Sequence, residues 1–97
     1  MERYKPKKIS QISPRDSRLL LVGKVASSSP NSFVLEDETG RIEVAFNGNV
    51  QQGENVRVFC SFLGNSLQAD FLQKLSQEEM NIFKRVERLY SKVKEYV

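Results

Sequence analysis

The sequence has no histidine, no tryptophan and a single cysteine, Cys60. Lacking histidine, it lacks the side chain most often used for acid–base work near neutral pH and a common metal ligand. One cysteine cannot form an internal disulfide, and without histidine it cannot contribute to a Cys/His zinc cage. Nor is there a base to activate Cys60, which reads as a small buried apolar residue. A reducing cytoplasm is the expected setting. No apolar run approaches the ~20 residues needed to cross a bilayer. The basic segment Met1 to Lys8 is followed by no apolar stretch, so no secretion signal is expected. Internal repeats and low-complexity tracts are also missing. These absences predict a non-enzymatic protein with no metal, cofactor, small-molecule substrate or membrane association.

What remains is 97 residues of which 39% are hydrophobic, enough for one small domain with a modest core. The net charge of +3 is unevenly spread. Residues 1–24 carry seven Lys/Arg and two acids, residues 25–75 three and six, and residues 76–97 five and four. The basic character therefore lies at the start of the chain, while the middle is mildly acidic.

Pro6, Pro14 and the mutually repelling Lys5, Lys7 and Lys8 make residues 1–16 an exposed basic lead-in, with Ile9 to Ile12 able to touch the core. A barrel is expected over 17–75. Leu19 to Val25 is apolar on both faces at its start and fits a long first strand, with Gly23 permitting a bend or bulge. Ser27 to Asn31 reads as a turn, Phe33 to Glu36 as the second strand, and Asp37 to Gly40 as a hairpin turn in which Gly40 supplies positive φ. Ile42, Val44 and Phe46 alternate on a third strand. Val56, Val58 and Cys60 share one face of a fourth, Asn55 to Leu63. After the Gly64-Asn65 turn, Leu67, Ala69 and Phe71 share one face of a fifth. Ser76-Gln77-Glu78-Glu79 is a capping box that starts a helix over 76–97.

The stretch Val22-Gly23-Lys24-Val25, followed by Phe33-Val34-Leu35-Glu36-Asp37-Glu38-Thr39-Gly40-Arg41-Ile42-Glu43-Val44 and Gly53-Glu54-Asn55-Val56-Arg57-Val58, resembles the OB-fold family of nucleic-acid-binding domains. The resemblance spans roughly residues 18–75. It implies a mainly β fold, a five-stranded Greek-key barrel, here with a C-terminal α-helix. Within the family the layout is similar to the middle subunit of replication protein A, whose barrel is followed directly by a helix that packs on partner subunits. It also resembles the small OB-fold accessory subunit of archaeal B-family DNA polymerase holoenzymes. The resemblance implies a non-catalytic subunit of a DNA replication or repair complex. Autonomous binding of single-stranded DNA or RNA is the alternative.

Three groups of residues could carry such roles. By the resemblance, Phe46 and Phe62 fall where OB folds carry stacking aromatics, with Arg41, Arg57 and Lys24 on outward positions nearby. Phe46 shares its period with Ile42 and Val44, so core packing explains it equally well. The lead-in lysines Lys5, Lys7 and Lys8 could release counterions from phosphates or simply remain solvated. The helix is the most informative group. Phe83, Val86, Tyr90, Val93 and Val97 recur at spacings of 3 and 4, flanked by Ile82, Leu89 and Tyr96. Such a stripe can dock on its own barrel. However, it runs over ~33 Å at 1.5 Å per residue, longer than a small barrel's base, so its far end is expected to seat a larger protein partner.

Overall fold

Alternation of apolar and polar residues sets the inner and outer faces of the sheet. Leu19, Leu21 and Val25 point inward from one strand, Phe33 and Leu35 from the next, and Val56, Val58 and Cys60 from a third, all essentially without solvent exposure. The structure, a computed structural model, describes residues 3–13 and 15–95, with the side chains of residues 90–95 outside that description. Its elements are β1 (Lys5–Pro6), a 3-10 turn (Ile9–Gln11), β2 (Arg18–Ser29), β3 (Ser32–Asp37), β4 (Gly40–Ala45), β5 (Asn55–Leu63), β6 (Ser66–Leu75) and α1 (Gln77–Glu95).

The strands close on themselves. β2 pairs antiparallel with β3 along its second half and with β5 along its first. β3 pairs with β4 and β5 with β6, and a parallel contact at Ala45 and Gln68 joins β4 to β6. This circuit is the OB-fold barrel, and closure leaves few exposed edges. The first half of β2 would still have one edge uncovered, because β3 pairs only beyond Lys24. Lys5 and Pro6 occupy that edge in parallel, opposite Leu19 and Leu20. The lead-in is therefore partly ordered as a sixth strand, and Ile9 is buried in the core cluster.

Four local details differ from the sequence reading. First, β2 continues through Ser27 to Ser29, leaving only Pro30 and Asn31 as the turn. Serines are tolerated there because the strand end is exposed on both faces. Second, the bulge lies between Val25 and Ser27 rather than at Gly23. Gly23 serves instead for close approach, since a Cβ there would stand 2.3 Å from the Glu36 carbonyl oxygen. Third, positive φ is found at Gly53 and Gly64, not at Gly40. The β3–β4 turn is closed by the Asp37 carboxylate, which accepts from the Thr39 and Gly40 N–H groups at 2.7 and 3.1 Å. Fourth, Phe71 does not continue the inward row of Leu67 and Ala69. Cys60 pairs with Ala69 and Phe59 with Phe71, so Asp70 is an extra residue on β6. This bulge turns Phe71 outward and lets Leu72 pack on the core in its place.

The helix starts as its capping box requires. Ser76 Oγ accepts the Glu79 N–H at 3.0 Å, and Glu79 Oε1 accepts the Ser76 N–H at 2.9 Å. The bond from the Ser76 N–H, assisted by the Ser76 side chain, holds the Glu79 carboxyl below its usual range. Among the described side chains of the helix, only Met80 is buried, with Phe83 and Glu87 half-buried, so a narrow line of side chains holds this part of α1 against the barrel.

Candidate interaction surfaces

The apolar stripe of α1 divides in two. Met80 and Phe83 turn toward the barrel, where they line a cleft of about 290 Å³ shared with Val22, Lys24, Asp37 and Asn55. Ile82, Val86 and Leu89, at spacings of four and three, form a second row that is 55%, 59% and 58% exposed. Below that row a groove of about 330 Å³ runs between helix and sheet, walled by Leu75, Phe83, Arg57 and Gln73. Of the remaining stripe residues, Tyr90 and Val93 lie on the helix with side chains outside the description, and Tyr96 and Val97 lie outside the described residues altogether.

An ion-pair bridge fixes the helix from the other side. Lys8 Nζ lies 2.5 Å from Glu38 Oε1 on the β3–β4 hairpin and 2.5 Å from Glu87 Oε1 on α1. Burial works to lower the Lys8 pKa, but the two carboxylates outweigh it and raise it. The same contact holds Glu38 below its ordinary value. Lys7 is 3.4 Å from Asp16. Two of the three lead-in lysines thus make ion pairs within the chain, and Lys5 is exposed on β1.

The nucleic-acid candidates are spread over several surfaces. Phe46 follows β4, half-buried. Its ring stands edge-on to Phe33 at 5.8 Å and lies under the loop at Gly48, where a Cβ would meet the ring at 2.4 Å. Phe62 packs on the core near the end of β5. Arg41 is tied to Glu36 across the β3–β4 pair. Lys24 and Arg57 share the outer face of the neighbouring strands β2 and β5. Cys60 is wholly buried, and burial, assisted by the charge of Asp70, pushes its thiol up to about 12. No group of acids and cysteine among the described residues is arranged to hold a metal.

A cluster the sequence did not single out lies on the outer face of β5 and β6. Tyr4 meets Phe59 edge-on at 5.2 Å, and Phe59 meets Phe71 at 5.8 Å. The guanidinium of Arg18 lies 5.5 Å from the Tyr4 ring centroid and that of Arg57 lies 5.6 Å from that of Phe59. Arg57 also donates from Nη2 to the Gln73 side chain, while its buried Nε has no partner among the described residues. The Tyr4 hydroxyl donates to Asp70 at 3.0 Å, which raises the Tyr4 pKa. One signal pointed here: Phe59 alternates out of phase with Val58 and Cys60.

These features define a small OB-fold barrel that carries an amphipathic helix with one apolar row uncovered. The structure is similar to the telomere capping protein Ten1 from Saccharomyces pombe, with a TM-score of 0.74 and 13% identity over 93% of this chain and 99% of that one. It is equally similar to a chain of the S. pombe Stn1–Ten1 complex, with a TM-score of 0.73 and 13% identity over 94% of each. At that identity the likeness establishes the fold. No protein-family profile matches the sequence, and no curated protein matches it.

Proposed function

We propose that this chain is a non-catalytic accessory subunit of a DNA replication, repair or end-protection assembly, docking on a larger protein through α1 and the adjoining barrel face. The observation that carries this reading is the exposed row Ile82, Val86 and Leu89 above an apolar groove. A helix that only served its own barrel would leave such a row polar. The likeness to a chain of a two-protein telomeric complex supports a partnered role. A helix of the partner lying along the row and filling the groove is the mode that fits. Polymerase holoenzyme, replication protein A-like and telomere-capping assemblies are separated by the identity of the partner.

The test is native co-purification followed by mass spectrometry, repeated with V86D and L89D. Both sites are exposed, so the variants should fold normally and lose the partner. A partner retained by both variants, or a chain that runs alone in native extract, refutes the docking mode.

A further inference from the structure

The charge along the sequence hides a segregation visible only on the barrel. The outer face of β3 and β4 displays Glu36 and Glu43, and its one arginine, Arg41, is engaged with Glu36. The outer face of β2, β5 and β6 instead presents Arg18 and Arg57 beside the rings of Tyr4 and Phe59, next to Phe71, with Lys24 farther along β2 opposite Glu36. Among the described residues, Asp70 is the acid beside these rings, and it accepts from the hydroxyls of Tyr4 and Ser61, each at 3.0 Å. Phe71 is 60% exposed, held out by the bulge at Asp70.

We propose that this outer face of β2, β5 and β6 is a binding surface for single-stranded nucleic acid, with a base stacked on Phe71 and phosphates held by Arg18 and Arg57. The chemistry follows from the arrangement. A large apolar ring left in water gains by being covered, and a nucleobase covers it with a flat face. The cations beside it match the backbone charge of a polyanion. A duplex keeps its bases stacked on one another and cannot offer one to Phe71 without unpairing. The opposite face, where OB folds commonly bind oligonucleotides, is the acidic one here. Arg57 also walls the groove beneath α1, so the two surfaces adjoin, but Phe71 does not line that groove, and F71A and V86D therefore separate the two.

The experiment is fluorescence anisotropy of the full chain with a labelled single-stranded oligonucleotide at ~50 mM salt, where phosphate contacts are strong. The expected result is saturable binding that F71A weakens about tenfold or more. F46L and V86D should leave it unchanged. R18Q/R57Q should flatten the plot of log affinity against log salt by about 0.7 for each phosphate no longer neutralised. Because the chain has no tryptophan, F71W introduces a single indole whose emission the bound strand should quench. Unchanged melting of F71A confirms that it folds. No binding up to about 100 µM, where even weak single-strand contacts register, overturns the proposal. So does undiminished binding by F71A, preference for duplex over single strand, or an F71A chain that keeps the oligonucleotide but loses a protein partner.

Discussion

Replacing Asp37 with alanine should destabilise this domain by about 2–3 kcal/mol. Its carboxylate is a hub, accepting from the N–H groups of Ile9, Thr39 and Gly40 at 2.9, 2.7 and 3.1 Å and from the Thr39 hydroxyl at 2.5 Å. Bonds to a charged acceptor contribute about 1.5–3 kcal/mol each when shielded. The turn amides of Thr39 and Gly40 can find water after the substitution, so their loss counts for little. The Ile9 bond is the costly one, because it pins the 3-10 turn and with it a side chain of the core cluster. For a domain of this size the loss corresponds to a melting temperature lower by roughly 10–20 °C. Urea denaturation followed by circular dichroism measures it, and amide exchange at Ile9 localises it. A change below about 0.5 kcal/mol, the range of ordinary surface substitutions, or unaltered protection at Ile9, refutes the role. The pH dependence gives a second check. Burial works to raise the Asp37 pKa, but the bonds from Thr39, Ile9 and Gly40 outweigh it and hold it low. A depressed carboxyl contributes its full stability above its unfolded pKa, near ~3.9, and loses it as pH falls through the lower folded value. D37N should therefore show a shallower acid limb than the parent chain in that window.

G23A should cost about 1–3 kcal/mol in the same urea assay, since its methyl would meet the Glu36 carbonyl at 2.3 Å and force β2 from β3; a neutral result would mean that the crossing is looser than described. Cys60, with its thiol pushed up to about 12, should resist a thiol reagent in the native protein at neutral pH and react once urea unfolds it, whereas prompt native labelling would contradict its burial. K8M should speed amide exchange in α1 around Glu87 while lowering global stability only slightly, because the Lys8 bridge is part-exposed. Exchange identical to that of the parent chain would show that Met80 and Phe83 hold the helix unaided.

Much of the barrel was legible because burial follows a period of two. Val44, Val56, Val58 and Cys60 could be assigned to a face from alternation, and each is buried, whereas the unbroken apolar run at the start of β2 concealed that Leu19 and Leu21 are fully buried while Leu20 and Val22 are only half-buried. The capping box likewise announced itself by chemistry confined to four residues. What escaped was set by contacts between distant segments. Lys5 and Pro6 join the sheet only because β3 leaves one edge of β2 free, a fact of topology with no local signature. The split of the helix stripe was hidden for a related reason. Periodicity shows that Ile82, Phe83 and Val86 lie to one side, but only the position of the barrel decides that Phe83 is half-covered and the other two are not.

The outward turn of Phe71 shows how a bulge can change what a surface does. With strict alternation from Leu67 through β6, Phe71 would share the inward face of Ala69, and Leu72 would be the exposed residue. Asp70 instead stands outside the ladder between Ala69 and Phe71, so the phase shifts and Phe71 comes to lie outward opposite Phe59. The same residue uses both carboxylate oxygens, Oδ2 on Tyr4 and Oδ1 on Ser61, to fasten the lead-in to β5 and β6. The two roles separate in D70A, which keeps the chain length, and with it the bulge, but removes both bonds. That variant should leave Phe71 outward and free Tyr4 from Phe59, so the cluster loses its outermost ring although no ring has been altered. Aromatic near-ultraviolet circular dichroism reads that loss directly, and a D70A chain that folds with the parent spectrum would show that the ring contact holds Tyr4 without the carboxylate.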